Sequence, residues 1–242
     1  MTVSHERPYK LFHLWLVLAS LVGFAIHLVF RSGIFGYIVD NDPTRLSLLI
    51  SVLFVAGTLH CGWLCLKLSR EAAALMRLYG EGGSVFIRGI GANDVGESRA
   101  CGYLRALHDR LAATGAGPAA EYAQLTDVLA EQVRGQHEAG WFVTNMLVKL
   151  GLLGTVIGFI LMLGSVMSIE SFAIEDAQSM LGSMTVGMGV ALNTTMLGLV
   201  SSMLLGMQYL LADRGADRLI ADVVFIAEAE LVPGLAGGAR GI

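Results

Sequence analysis

Four apolar runs alternate with polar stretches along the chain. The first, Leu11–Phe30, is long enough to cross the ~30 Å hydrocarbon core of a bilayer as a helix. Arg7, Pro8 and Lys10 precede it, but it lacks a small-x-small cleavage pattern and exceeds a signal-peptide apolar core, so it predicts a first span. Arg31–Arg45 then carries Gly33, Gly36, Asp40, Asn41, Asp42 and Pro43, the residues of turns. Leu46–Leu66 is the second span, after which Lys67, Ser69, Arg70 and Glu71 announce water. The third, Trp141–Ser168, is longer than a minimal span, and the fourth is Met180–Leu211. Between these two, Glu170, Glu175 and Asp176 form an acidic connection without a basic residue, the signature expected of the external side.

The polar stretch Glu71–Gly140 interleaves Arg77, Arg88, Arg99, Arg105, Arg110 and Arg134 with acids, and the positive-inside rule places it in the cytoplasm. Gly80–Gly96 is glycine-rich and expected to be irregular. Glu97–Thr114 repeats Tyr103, Leu104, Leu107 and Leu111 at helical spacing, and Gly115, Gly117 and Pro118 end it. A further helix restarts at Ala119, with Tyr122, Leu125, Val128, Leu129 and Val133 on one face, and runs into the third span. After the fourth span, Asp213, Arg214, Asp217 and Arg218 lie in a helical tail that Pro233 and the glycine-rich end terminate. The expectation is an all-α integral membrane protein with four transmembrane helices and a cytoplasmic helical region between helices 2 and 3. Its parts are a cytoplasmic N-terminus (1–10), a peripheral transmembrane hairpin (11–66), the cytoplasmic region (67–140), pore-lining helices 3 and 4 (141–211) and a cytoplasmic tail (212–242).

Composition agrees with several spans: 55% of the residues are hydrophobic, 15% are charged, and the mean hydropathy is +0.65. The net charge of -4 and the lack of a Lys/Arg run give no footprint for nucleic acid. Cys61, Cys65 and Cys101 form no CxxC pair. With His60, the first two supply at most half of a metal site. His13 and His27 sit near the ends of the first span and read as interfacial, and Lys149 can snorkel to headgroups. No G-x-S-x-G, H-E-x-x-H or pair of membrane aspartates suggests an enzyme, and no cofactor is expected.

Within the third span, Gly151, Thr155 and Gly158 share a narrow arc, with Gly154 beside it and Ser165 extending it. The fourth span repeats the property, with Gly187, Ala191, Thr194, Thr195, Gly198, Ser202 and Gly206 at steps of three and four, while Asn193 points away. Close helix packing and the wall of an ion pathway both account for two such strips. Spans three and four contain no Asp or Glu, so a pathway here needs an acid supplied by another chain. Threonine hydroxyls would then be donors to that carboxylate or oxygen ligands for a hard cation.

L-G-L-L-G-T-V-I-G at Leu150–Gly158 and G-V-A-L-N-T-T-M-L-G at Gly189–Gly198 resemble the third-helix and last-helix signatures of the MotA/TolQ/ExbB proton channel family. The hairpin ahead of a cytoplasmic region is similar to the MotA branch, the flagellar stators. Thr155, Thr194 and Thr195 resemble the hydroxyl pattern of sodium-driven stators. The resemblance implies a homopentamer in the bacterial inner membrane, both termini cytoplasmic, around two copies of a single-span MotB/TolR/ExbD-like subunit whose aspartate accepts H+ or Na+. Thr155, Thr194 and Thr195 would line the ion path and hold a transient Na+, while Gly151, Gly154, Gly158, Ala191, Gly198 and Ser202 form the packing or pore strip. The alternative is a structural membrane scaffold without ion conduction.

Overall fold

The computed structural model describes residues 9–33, 36, 38, 42–80, 98–114, 119–167 and 174–231. Five helices make up nearly all of them: α1 (Lys10–Arg31), α2 (Leu46–Gly80), α3 (Arg99–Thr114), α4 (Ala119–Met167) and α5 (Ile174–Ile226), the last closed by a π-helical turn, Ala227–Leu231. No strand occurs among the described residues. The glycine-rich segment 81–97, the breaker 115–118, the connection 168–173 and the tail from 232 lie outside them. So do the side chains of Leu111, Tyr122, Leu125, Ser165, Glu175 and Asp176.

Four helices are long and apolar enough to cross a membrane, as α1, α2, α4 and α5. At 1.5 Å per residue, the 49 residues of α4 and 53 of α5 reach about 73 and 80 Å, far beyond the hydrocarbon thickness. Each of them must therefore continue outside the bilayer.

Local chemistry sets the ends of the first two. Gly33 closes α1 with a φ of +78°, its N–H donating to the Phe30 carbonyl while Ser32 N–H donates to Leu28. A residue with a Cβ is strained in that conformation. At the start of α2, the buried Asp42 carboxylate accepts from Thr44 N–H (3.0 Å), Thr44 Oγ1 (2.5 Å) and Ser47 N–H (2.7 Å). Burial alone raises this carboxyl, but the hydrogen bonds prevail and hold it below the usual carboxylate range. These bonds fix the turn in which Arg45 takes a φ of +56°, a left-handed conformation costing about 1–2 kcal/mol in a residue with a Cβ.

The chain divides into two compact units, and the boundaries cut through helices. One unit comprises 1–16, 62–138 and 210–242. Its core joins Leu68 and Leu75 of α2, Tyr103, Leu104 and Leu107 of α3, Leu129 and Val133 of α4, and Leu219, Val223 and Ile226 of α5. Two expectations are corrected here. Ser69 does not meet water; it is 1% exposed, because α2 continues past Leu66 to Gly80 and keeps burying one face. Val128 is 53% exposed, since it lies about 100° around the helix from Leu129, which together with Val133 faces the core.

Polar contacts edge this core. Glu71 Oε2 accepts from Ala100 N–H at 3.3 Å, serving the N-terminus of α3. Tyr103 and Thr126 share a hydroxyl bond at 2.9 Å, Arg134 reaches Asp217 at 2.9 Å, and buried His137 pairs through Nδ1 with Asp213. Burial pushes the Cys101 thiol above its ordinary value, as does nearby Glu71, against a hydrogen bond from Ser98.

Candidate functional site

The second unit, 17–61 and 139–209, holds both glycine-threonine motifs. Here α4 and α5 meet backbone to backbone. A Cβ placed on Gly158 would lie 2.6 Å from the Gly187 carbonyl oxygen and 2.7 Å from Ala191 N; one on Gly187 would lie 2.8 Å from Gly158 O and Met162 N. One on Gly198 would lie 2.7 Å from Leu147 O and 2.9 Å from Gly151 Cα, and one on Gly154 would strike Thr194 Oγ1. Carbon atoms do not approach so closely, so each position requires glycine. Lipid tails are as apolar as leucine, so helices in a bilayer gain by close van der Waals contact between small residues, which this seam maximises. Ala191 is buried in it, while Ser202 is half-buried. Gly206 is looser: its nearest neighbour, Thr144 Cγ2, would be 3.6 Å from a Cβ.

The three threonines occupy different places. Thr194 is fully buried and donates to the Val190 carbonyl at 2.7 Å, one turn back. Thr195 is half-buried and donates across the seam to Gly151 O at 3.0 Å. Thr155, also half-buried and one turn further along α4 from Gly151, donates to Leu152 O at 2.6 Å. Each hydroxyl proton is thus committed to a backbone carbonyl. While the proton is so engaged, what each oxygen offers is lone-pair capacity, which accepts a hydrogen bond or coordinates a cation. Only Thr155 and Thr195 present that capacity at the edge of the seam.

A second polar cluster in this unit joins α2 to α5, and the sequence reading did not find it. Tyr209, wholly buried, donates to the Gly57 carbonyl at 3.2 Å and lies 2.8 Å from His60 Nδ1. Gln208 Nε2 donates to Thr58 Oγ1 at 3.3 Å. The Tyr209 ring passes so close to Gly140 that any Cβ there would overlap it. The available signal was two consecutive polar residues, Gln208 and Tyr209, late in an apolar run; buried tyrosines and amides find partners. Among the described residues no group of three or more His, Cys, Asp or Glu converges as a metal site.

Residues 121–223, from early α4 to late α5, match the family model of the MotA/TolQ/ExbB proton channel family. Comparison with curated proteins and with solved structures yields no match. The match encloses the seam and both motifs; α1, α2 and α3 lie ahead of it.

Proposed function

We propose that this chain, a multi-pass membrane protein whose residues 121–223 belong to the MotA/TolQ/ExbB proton channel family, is the ion-conducting subunit of a rotary motor complex in the bacterial inner membrane. It converts proton or sodium motive force into mechanical work, as a homopentamer around two copies of a single-span MotB/TolR/ExbD-like subunit, with both of its own termini in the cytoplasm. The carrying observation is the pair of half-buried oxygens on Thr155 and Thr195, oriented by their bonds to backbone carbonyls, in a stretch without an acid of its own. A protonated aspartic acid from the partner donates to such an oxygen, and Na+ takes it as one of several oxygen ligands. Either way the partner's carboxyl alternates between loaded and unloaded states beside fixed acceptors.

The test is Thr195→Val in the complex assembled with its single-span partner. Shape is nearly conserved, so native mass spectrometry should still find five chains with two partners, while ion-driven work falls at least tenfold. Undiminished work would remove the hydroxyl from the pathway. A second reading, a structural scaffold, draws on Thr194, whose hydroxyl is spent within its own helix at full burial. It predicts a homo-oligomer purified without a partner, and vesicles that pass no ions.

A further inference from the structure

In the first unit, two cations converge on one neutral group. Lys67 of α2 and Arg99 of α3 both reach the side-chain amide of Gln136 on α4. In the amide orientation that satisfies donors and acceptors, Gln136 Oε1 accepts from Lys67 Nζ at 3.2 Å and from Arg99 Nη1 and Nη2 at 2.9 and 2.5 Å. Arg99 Nη1 also donates to the Gln132 carbonyl at 2.7 Å. Among the described residues neither cation belongs to an ion pair. The nearby acid Glu71 accepts through Oε2 from Ala100 N–H and Ser98 Oγ, at the start of α3. Two like charges sharing a neutral acceptor repel one another, and an anion placed against them relieves that repulsion.

The depth of this cluster identifies the anion. Trp63 lies one turn before Lys67 on α2, 56% exposed, with Lys67 Nζ 5.2 Å from its ring centroid. Trp141 follows Gln136 by little more than a turn on the same helix, and Trp15 stands at a similar remove from Lys10 on α1. Tryptophans concentrate where hydrocarbon meets headgroups, so Lys67 and Gln136 stand about a turn outside the apolar layer, at the level of lipid phosphates. We infer that Trp63, Lys67, Arg99 and Gln136 form a binding site for the phosphate of an anionic phospholipid, the Arg99 fork and Lys67 ammonium holding its oxygens and Trp63 lying along its upper chain. Basic pockets between membrane helices at this depth recognise such headgroups. The site is separate from the glycine seam and does not depend on ion conduction.

The experiment is a native mass spectrometry titration of the full chain with phosphatidylglycerol and, separately, phosphatidylcholine of the same chain length. Phosphatidylglycerol should show one saturable site per chain, and phosphatidylcholine none. Each cation near a charged lipid surface is worth about fivefold in affinity, so Lys67→Gln with Arg99→Gln should weaken this site roughly 30-fold. Lys149→Gln, at another lysine near the membrane boundary, should leave it unchanged. Should the double variant misfold, Gln136→Glu decides: a carboxylate between the cations supplies an internal counter-ion, so the lipid site is lost while thermal stability holds or rises. Lipid retention in folded Gln136→Glu, equal binding of the two lipids, or displacement of phosphatidylglycerol by millimolar inorganic phosphate would each overturn the assignment.

Discussion

Along α5 the residues that make helix contacts change size partway. Gly187, Ala191, Thr194 and Gly198 serve the seam of one unit, and Leu219, Val223 and Ile226 fill the core of the other. The seam brings main chains together and leaves Leu192, Met196, Leu199 and Met203 pointing outward, all at least 46% exposed. The core does the reverse, gathering large side chains from four helices and leaving charged groups such as Arg134 and Asp217 outside. In water, burying large apolar groups drives association; in lipid they gain nothing by leaving the solvent, and close contact decides. One helix therefore follows two packing patterns in succession, small residues along Gly187–Gly198 and large ones along Leu219–Ile226.

That contrast can be broken from either side. The largest effect should come from Leu104→Ala, which empties a fully buried position in the core and should cost about 2–5 kcal/mol, measured as equilibrium unfolding of the solubilised chain. Gly158→Ala adds volume instead. Its new methyl meets backbone atoms that cannot rotate away, so the helices must part at a cost of about 1–3 kcal/mol, whereas Gly206→Ala, with ordinary contact distances, should change stability by under about 0.5 kcal/mol. Equal effects of the two glycine changes would mean that the seam is not tightly packed.

Smaller effects sharpen the polar side of the comparison. Asp42→Asn keeps an acceptor but loses the charge, and should cost about 1 kcal/mol at pH 7. The folded-state pKa of Asp42 is depressed, so its contribution is fully present above the unfolded value of about 4 and disappears as pH falls through the lower folded value. Thermal scans from pH 6 to pH 2.5 should thus show the wild type losing its advantage over the variant below about pH 4. Last, Thr195→Val removes one bond across the seam, for which membrane hydrogen bonds suggest about 0.6 kcal/mol. A loss of several kcal/mol would make Thr195 a structural tie first and a pathway residue second.

Much of the fold was legible because it rests on long regularities. The four apolar runs, the restart at Ala119 and the helical spacing of Tyr103, Leu104 and Leu107 are signals repeated over several turns. The seam was legible for a related reason: glycine and threonine at three- and four-residue steps are conspicuous among leucines. What escaped were single residues whose partners are distant in sequence. Ser69 at the edge of an apolar run looks the same whether it ends in water or in a core. His137 and Asp213, or Gly57 and Tyr209, become pairs only once the helices are assembled. The division of labour among Thr155, Thr194 and Thr195 escaped too: Thr194 and Thr195 lie about 100° apart around α5, and only the placement of α4 decides which meets the middle of the contact and which its rim.

The continuity of α4 has a consequence for its main chain. From Thr155 to Arg134 runs about 31 Å of unbroken hydrogen-bonded helix containing no proline. Each interior N–H keeps its partner within the helix, so wherever lipid surrounds α4 its backbone presents no unpaired donor and needs no neighbouring chain to satisfy it.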